Sequence, residues 1–193
     1  VGLGFMGSTH LQGLAKVSQA QVVAVADKSE ARLSGDLSDI AGNLGIQGLK
    51  MDFSGYRKYT EFEDMLADKE VDAVDICVPT FLHASMATKA LAAGKHVLLE
   101  KPMALDIAEC DEIIGACRAA GVRLMIAHIT RFLEATRVAR DLVGSGAIGD
   151  LRMISVHRLL NGYPNSGWTL EPAEGTAFLD WGSHGADIVR WFA

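Results

Sequence analysis

Three glycines in the first seven residues, Gly2, Gly4 and Gly7, separate an apolar stub from a stretch in which His10, Leu11, Leu14, Ala15 and Val17 recur at helical spacing. A Gly-x-Gly-x-x-Gly turn between strand and helix narrows the possible folds more than any other feature of this chain. The first glycine makes the tight turn, the second lets backbone approach a pyrophosphate, and the third lets helix and strand pack closely. Unpaired N–H groups and the positive end of the helix dipole then face the phosphates. Gly2, Gly4, Phe5, Met6 and Gly7 are therefore the expected phosphate loop. Asp27 closes the next apolar run, Gln21–Ala26, 20 residues after Gly7. A carboxylate there can hold both ribose hydroxyls of an adenosine and repels a 2′-phosphate, which favours NAD over NADP. Lys28, its neighbour, is a cation that could receive a 2′-phosphate instead.

The rest of the chain repeats the strand–helix theme. Ser29–Leu44 reads as a helix weakened at Gly35, and a short strand is expected near Tyr59. Glu61–Ala67 has helical spacing, Val71–Val78 reads as a strand, Phe81–Ala93 as a helix and His96–Leu99 as a strand. Asp106–Ala120 (helix), Val122–Ala127 (strand) and Leu133–Val143 (helix) follow. Such alternation predicts a doubly wound α/β fold with a parallel sheet and right-handed crossovers. The style changes at Leu151: a strand-like Leu151–Leu160, a long loop over Asn161–Gly175, and a helix over Gly182–Phe192. A Rossmann nucleotide-binding domain is expected over 1–124, and part of a second α/β domain over 125–193. With only Val1–Leu3 ahead of the turn, and a helix running to the last residue, the chain is expected to be truncated at both ends.

Composition removes several classes of function. The net charge is −6 with no basic run, which argues against nucleic acid. No apolar run approaches the roughly 20 residues that cross a bilayer, so no membrane partner is expected. Three cysteines, without a Cys-x-x-Cys, give neither a disulfide framework nor a zinc spacing. A cytoplasmic setting and no metal are the corresponding expectations.

Two later segments carry chemistry. Glu100-Lys101-Pro102 follows the strand His96–Leu99. In isolation it is a solvated charge pair before a turn. Ligands of open α/β sheets bind outside the carboxyl ends of strands, however, which puts Lys101 at the cofactor crevice. Asp180, His184 and Asp187 are spaced by four and three, so on a helix they share one face. A histidine oriented by a carboxylate is a proton acceptor near neutral pH. Helix capping by Ser183 or Asp180 is the alternative reading of that segment.

Together these motifs resemble the glucose–fructose oxidoreductase / inositol dehydrogenase / MocA family of nicotinamide-dependent sugar and polyol oxidoreductases. The resemblance rests on Gly2-x-Gly4-x-x-Gly7 with Asp27, on Val71-Asp72-Ala73-Val74-Asp75 leading to Pro79-Thr80 and His83, and on Ala92 through Pro102. It continues in His128-x-x-Arg131-Phe132, Gly146-x-Ile148-Gly149 and Asp180-x-Gly182-x-His184-x-x-Asp187. It departs at Glu174-Gly175-Thr176-Ala177, where the family usually has a glycine cluster. It implies a Rossmann domain followed by a substrate domain whose large sheet commonly mediates homo-oligomers. It also implies Lys101, Asp180 and His184 as the catalytic set, with Pro79, Thr80, His83 and Glu100 on the cofactor side. The expected reaction is hydride transfer between NAD and a secondary hydroxyl of a sugar or polyol. An NAD-dependent glycosidase and a noncatalytic nucleotide-sensing module are the rival expectations.

Overall fold

Val1–Leu3 lies in the middle of a sheet. Its backbone reaches strands on both sides: Gly2 N–H donates to Ala26 O (2.9 Å), and Val1 O accepts from Cys77 N–H (2.9 Å). The computed structural model describes residues 1–38, 40, 49–157 and 181–193. On one side of Val1–Leu3 stands β1 (Ala24–Ala26), paired in parallel with β4 (Arg57–Tyr59). On the other stand β5 (Ala73–Ile76), β6 (His96–Leu99) and β7 (Leu124–Ile126), parallel in that order. The spatial order is thus β4, β1, Val1–Leu3, β5, β6, β7. That is the doubly wound order, in which the chain changes direction across the sheet beside the glycine turn. A minor antiparallel pair, β2 (Asp36–Leu37) with β3 (Leu49–Lys50), lies outside it.

The helices follow the strands as the alternation requires. They are α1 (Phe5–Leu14), α2 (Glu30–Leu33), α3 (Phe62–Ala67), α4 (His83–Ala92) and α5 (Ile107–Ala120). Small residues let α4 lie close to the sheet: Ala87, Ala90 and Leu91 are fully buried with Val97, Leu99 and Ile76. At the start of α5 the Asp106 carboxylate accepts the Glu109 N–H (2.9 Å), while Glu109 accepts the Leu105 N–H (3.0 Å). This reciprocal cap satisfies donors that a helix start leaves unpaired. Of the helix expected over Ser29–Leu44, only Glu30–Leu33 is helical among the described residues. It stops after one turn because Gly35 takes a φ of 95°, and its N–H closes on Arg32 O, which turns the chain into β2. Residues 39 and 41–48 of that stretch lie outside the described residues.

The chain divides into two compact units, Val1–Ile126 and Ala127–Ala193. The second holds a short 3-10 turn (Ile129–Phe132), α6 (Glu134–Gly144) and α7 (Ser183–Phe192). Of the strand expected over Leu151–Leu160, residues 151–157 are irregular and the rest lie outside the described residues. Among the described residues no helix is long and apolar enough to cross a membrane.

Between β1 and β5 lies a cavity of about 400 Å³. Leu11, Leu14, Val22, Val71 and Val74 are among the side chains that line it.

Candidate active site

The glycine turn has the three properties its spacing predicts. Gly2 has a φ of 80°, and a Cβ on it would stand 2.5 Å from Cys77 O. A Cβ on Gly7 would fall 1.9 Å from Gly2 O, so α1 packs on the turn with no room for a side chain. Gly4, which caps α1, faces open space instead. Backbone can therefore be approached at Gly4, where α1 starts. This arrangement fits a pyrophosphate.

Asp27 is held at the end of β1 by two backbone donors. Its Oδ2 accepts the Leu3 N–H (2.7 Å) and its Oδ1 accepts the Ser29 N–H (2.8 Å). The carboxylate thus ties the end of β1 to the glycine turn. Lys28 points away, paired with Glu61 at 3.0 Å on the exposed surface. The nearer cation is Arg32, whose Nη1 lies 3.9 Å from Asp27 Oδ2. The sequence reading passed over Arg32 because the helix carrying it was expected to be long and its face was unknown.

Pro79 and Thr80 begin the turn that follows β5, and Glu100 and Lys101 follow β6. Both segments leave the carboxyl ends of their strands. His83 lies beneath them, 1% exposed. Its Nδ1 is 2.8 Å from Pro102 O and its Nε2 is 2.9 Å from Val78 O. The ring thus joins the two strand-end segments rather than presenting a nitrogen to the crevice. Glu100 is buried and its Oε2 accepts the Lys101 N–H (2.9 Å).

His10, Asp75 and Cys77 were not singled out by sequence. His10 sits on α1, Asp75 in β5 and Cys77 just beyond it. His10 Nδ1 is 2.9 Å from Asp75 Oδ2, Nε2 is 3.2 Å from Glu100 Oε1, and Cys77 Sγ is 3.4 Å from Nδ1. The hydrogen bond to Asp75, then Cys77 and Glu100, push the imidazole from its ordinary 6.5 up to about 12. Burial pushes the Cys77 thiol up. The only sequence signal was that titratable residues came from three neighbouring elements, α1, β5 and the end of β6, and this shows only once the strand order is known.

In the second unit, His184 and Asp187 are both buried on α7. Asp187 does not turn to His184. It takes the Arg131 guanidinium in a fork, Nε at 2.8 Å and Nη2 closer still, and His128 Nε2 stands 3.7 Å away. The Trp181 ring lies 6.4 Å from that of His184. Asp180 lies outside the described residues, as do Glu174–Ala177.

Comparison with known proteins agrees with this architecture. Residues 1–128 match the model of the oxidoreductase family with an NAD-binding Rossmann fold, and residues 136–193 match the GFO/IDH/MocA C-terminal domain. An uncharacterized oxidoreductase of Synechocystis sp. is 32% identical over 99% of this chain and 49% of its own length. An inositol 2-dehydrogenase of Salmonella paratyphi B is 33% identical over 80% of this chain and 43% of its own. The crystal structure of scyllo-inositol dehydrogenase from Lactobacillus casei with bound NAD(H) and scyllo-inositol superposes with a TM-score of 0.76 at 28% identity, covering 100% of this chain and 54% of that one. The chain spans about half the length of the curated relatives it matches. With both of its domain models matched in order, the chain belongs to the Gfo/Idh/MocA family of oxidoreductases, whose first domain is an NAD-binding Rossmann fold.

Proposed function

We propose that the protein is a dehydrogenase that moves a hydride between NAD and a secondary hydroxyl of a sugar or polyol. The reading takes residues 1–124 as the cofactor domain and the chain from 125 as the start of the substrate domain. The observation that carries it is the convergence of the open Gly4 turn, the Asp27 carboxylate and the Glu100–Lys101 segment at one end of one parallel sheet. Inositol dehydrogenases among the relatives support the substrate class. Asp27 supports NAD over NADP.

NAD, when bound, supplies the hydride acceptor. The chain's own residues must then remove the hydroxyl proton and steady the charge left on oxygen, because a free alkoxide is too basic to form at pH 7. Lys101 donates a hydrogen bond to the reacting oxygen and offsets its developing charge. His184 accepts the proton, and Asp180 orients that histidine. Gly4 through Gly7 hold the pyrophosphate, and Pro79, Thr80 and Glu100 flank the nicotinamide side. Association into a homo-oligomer through the second domain belongs to the same reading.

The test is a panel of polyols and sugars offered with NAD to the protein expressed from its complete reading frame, followed by NADH absorbance. Reduction of NAD by at least one free polyol is the expected result. Sugar release from a glycoside without net reduction would make it a glycosidase. NAD binding with no turnover on any substrate would leave a nucleotide-sensing module.

A further inference from the structure

We propose that His10 is a positioning residue: by bridging Asp75 and Glu100 it fixes Glu100, and Glu100 in turn fixes the backbone from which Lys101 starts. The inference rests on the role proposed for Lys101 and adds a residue to it.

The geometry links three elements through one ring. His10 rises from the second turn of α1 and its side chain is 14% exposed. Asp75 approaches Nδ1 from β5 with both oxygens, at 3.1 and 2.9 Å. Glu100 approaches Nε2 from the end of β6 at 3.2 Å. A ring with a carboxylate on each nitrogen donates on both sides, so it is held as an imidazolium. Without that charge, two carboxylates with 22% and 7% exposed side chains would face one another across a poorly hydrated gap. One of them would have to take up a proton or turn away. Glu100 is the one with a further task, since its second oxygen accepts the Lys101 N–H. Turning Glu100 releases that N–H and shifts the start of the lysine side chain.

His10, Asp75 and Cys77 also have the spacing of a metal-binding group. The donor set does not favour a metal here. Nδ1 donates to Asp75, and burial keeps the Cys77 sulfur a thiol. A proton fills the place a cation would take.

The experiment uses the protein expressed from its complete reading frame and compares His10→Gln, His10→Ala, Glu100→Gln, His10→Ala/Glu100→Gln and Lys101→Ala. Both His10 variants should lower kcat by about tenfold or more, the scale of a small misplacement of a reacting group. NAD affinity, read by fluorescence titration, should change by less than about threefold, since the pyrophosphate is held by backbone. In the Glu100→Gln background, removing His10 should cost less than about threefold further, because its effect passes through Glu100. A His10 variant with wild-type kcat, a loss of NAD affinity as large as the loss of kcat, or full multiplication with Glu100→Gln would each overturn the inference. Should both His10 variants fail to fold, Glu100→Gln alone decides: it keeps the side chain's shape, and an unchanged kcat sinks the link. Lys101→Ala separates the two levels. If it keeps its turnover, the role proposed for Lys101 fails and the positioning fails with it. If it loses turnover while the His10 variants do not, only the positioning fails.

Discussion

Arg131 and Asp187 are joined by a two-armed ion pair that clamps the 3-10 turn over Ile129–Phe132 to α7, and the Arg131 guanidinium also lies 4.6 Å from the Trp191 ring centre. Hydrogen bonding to Asp187 raises the Arg131 pKa still further. The carboxylate is the more buried partner, with 6% of its side chain exposed against 33% for the arginine.

Removing the arginine should therefore cost more than its exposure suggests. Arg131→Ala strands a buried carboxylate, and a loss of about 3 kcal/mol is expected from urea melts. Arg131→Lys keeps the charge but loses the fork and the stacking, so its midpoint should fall between those of the alanine variant and the wild type. A lysine variant as stable as wild type would show that charge alone holds the clamp.

Lys101→Ala and His184→Ala should each lower turnover by about 100-fold or more, the scale of a lost charge stabiliser or acid–base group. The double variant should fall short of the product of the two losses, because both act on one proton transfer. Near-normal turnover in His184→Ala, beside an inactive Lys101→Ala, would move the base to the lysine.

Cofactor preference should follow the Asp27–Arg32 pair. Asp27→Ser should narrow the gap between NAD and NADP in a binding titration. Adding Arg32→Ala should reopen it by removing the cation nearest a 2′-phosphate. Lys28→Ala should change little, since that lysine is turned to Glu61. Tighter NADP than NAD binding by the unmutated protein would reverse the assignment.

Alkaline pH should weaken the fold through His10. The folded ring is pushed up to about 12 from 6.5, so its contribution is complete below about 6.5 and is lost as pH rises towards 12. Asp75, Cys77 and Glu100 are the charged or titrating groups around it. The Cys77 thiol, pushed up by burial, slopes the same way. Urea midpoints from pH 6 to 10 should decline, and His10→Gln should flatten the decline. An equal slope in both proteins would remove His10 from the account.

How far the sequence could be read follows from the range of its signals. The glycine turn, Asp27 and the alternation of apolar strands with helices are local patterns, and they sufficed for a Rossmann domain with a parallel sheet. Gly35 defeated the long helix because a single positive φ outweighs a weak apolar period. His10 was hidden because its partners are 65 and 90 residues away in sequence. Their meeting depends on the order of strands, which no window of sequence contains. Asp187 shares the helix of His184 as its spacing requires, but its ion-pair partner Arg131 lies 56 positions earlier, outside any local window.

The fully buried His83, with one nitrogen on the segment after β5 and the other on the segment after β6, has a mechanical consequence. The two shelves at the mouth of the crevice cannot slide past each other without breaking a hydrogen bond in a dry place. A hinge therefore does not run between them. The floor carrying Thr80 and Lys101 is tied into one slab.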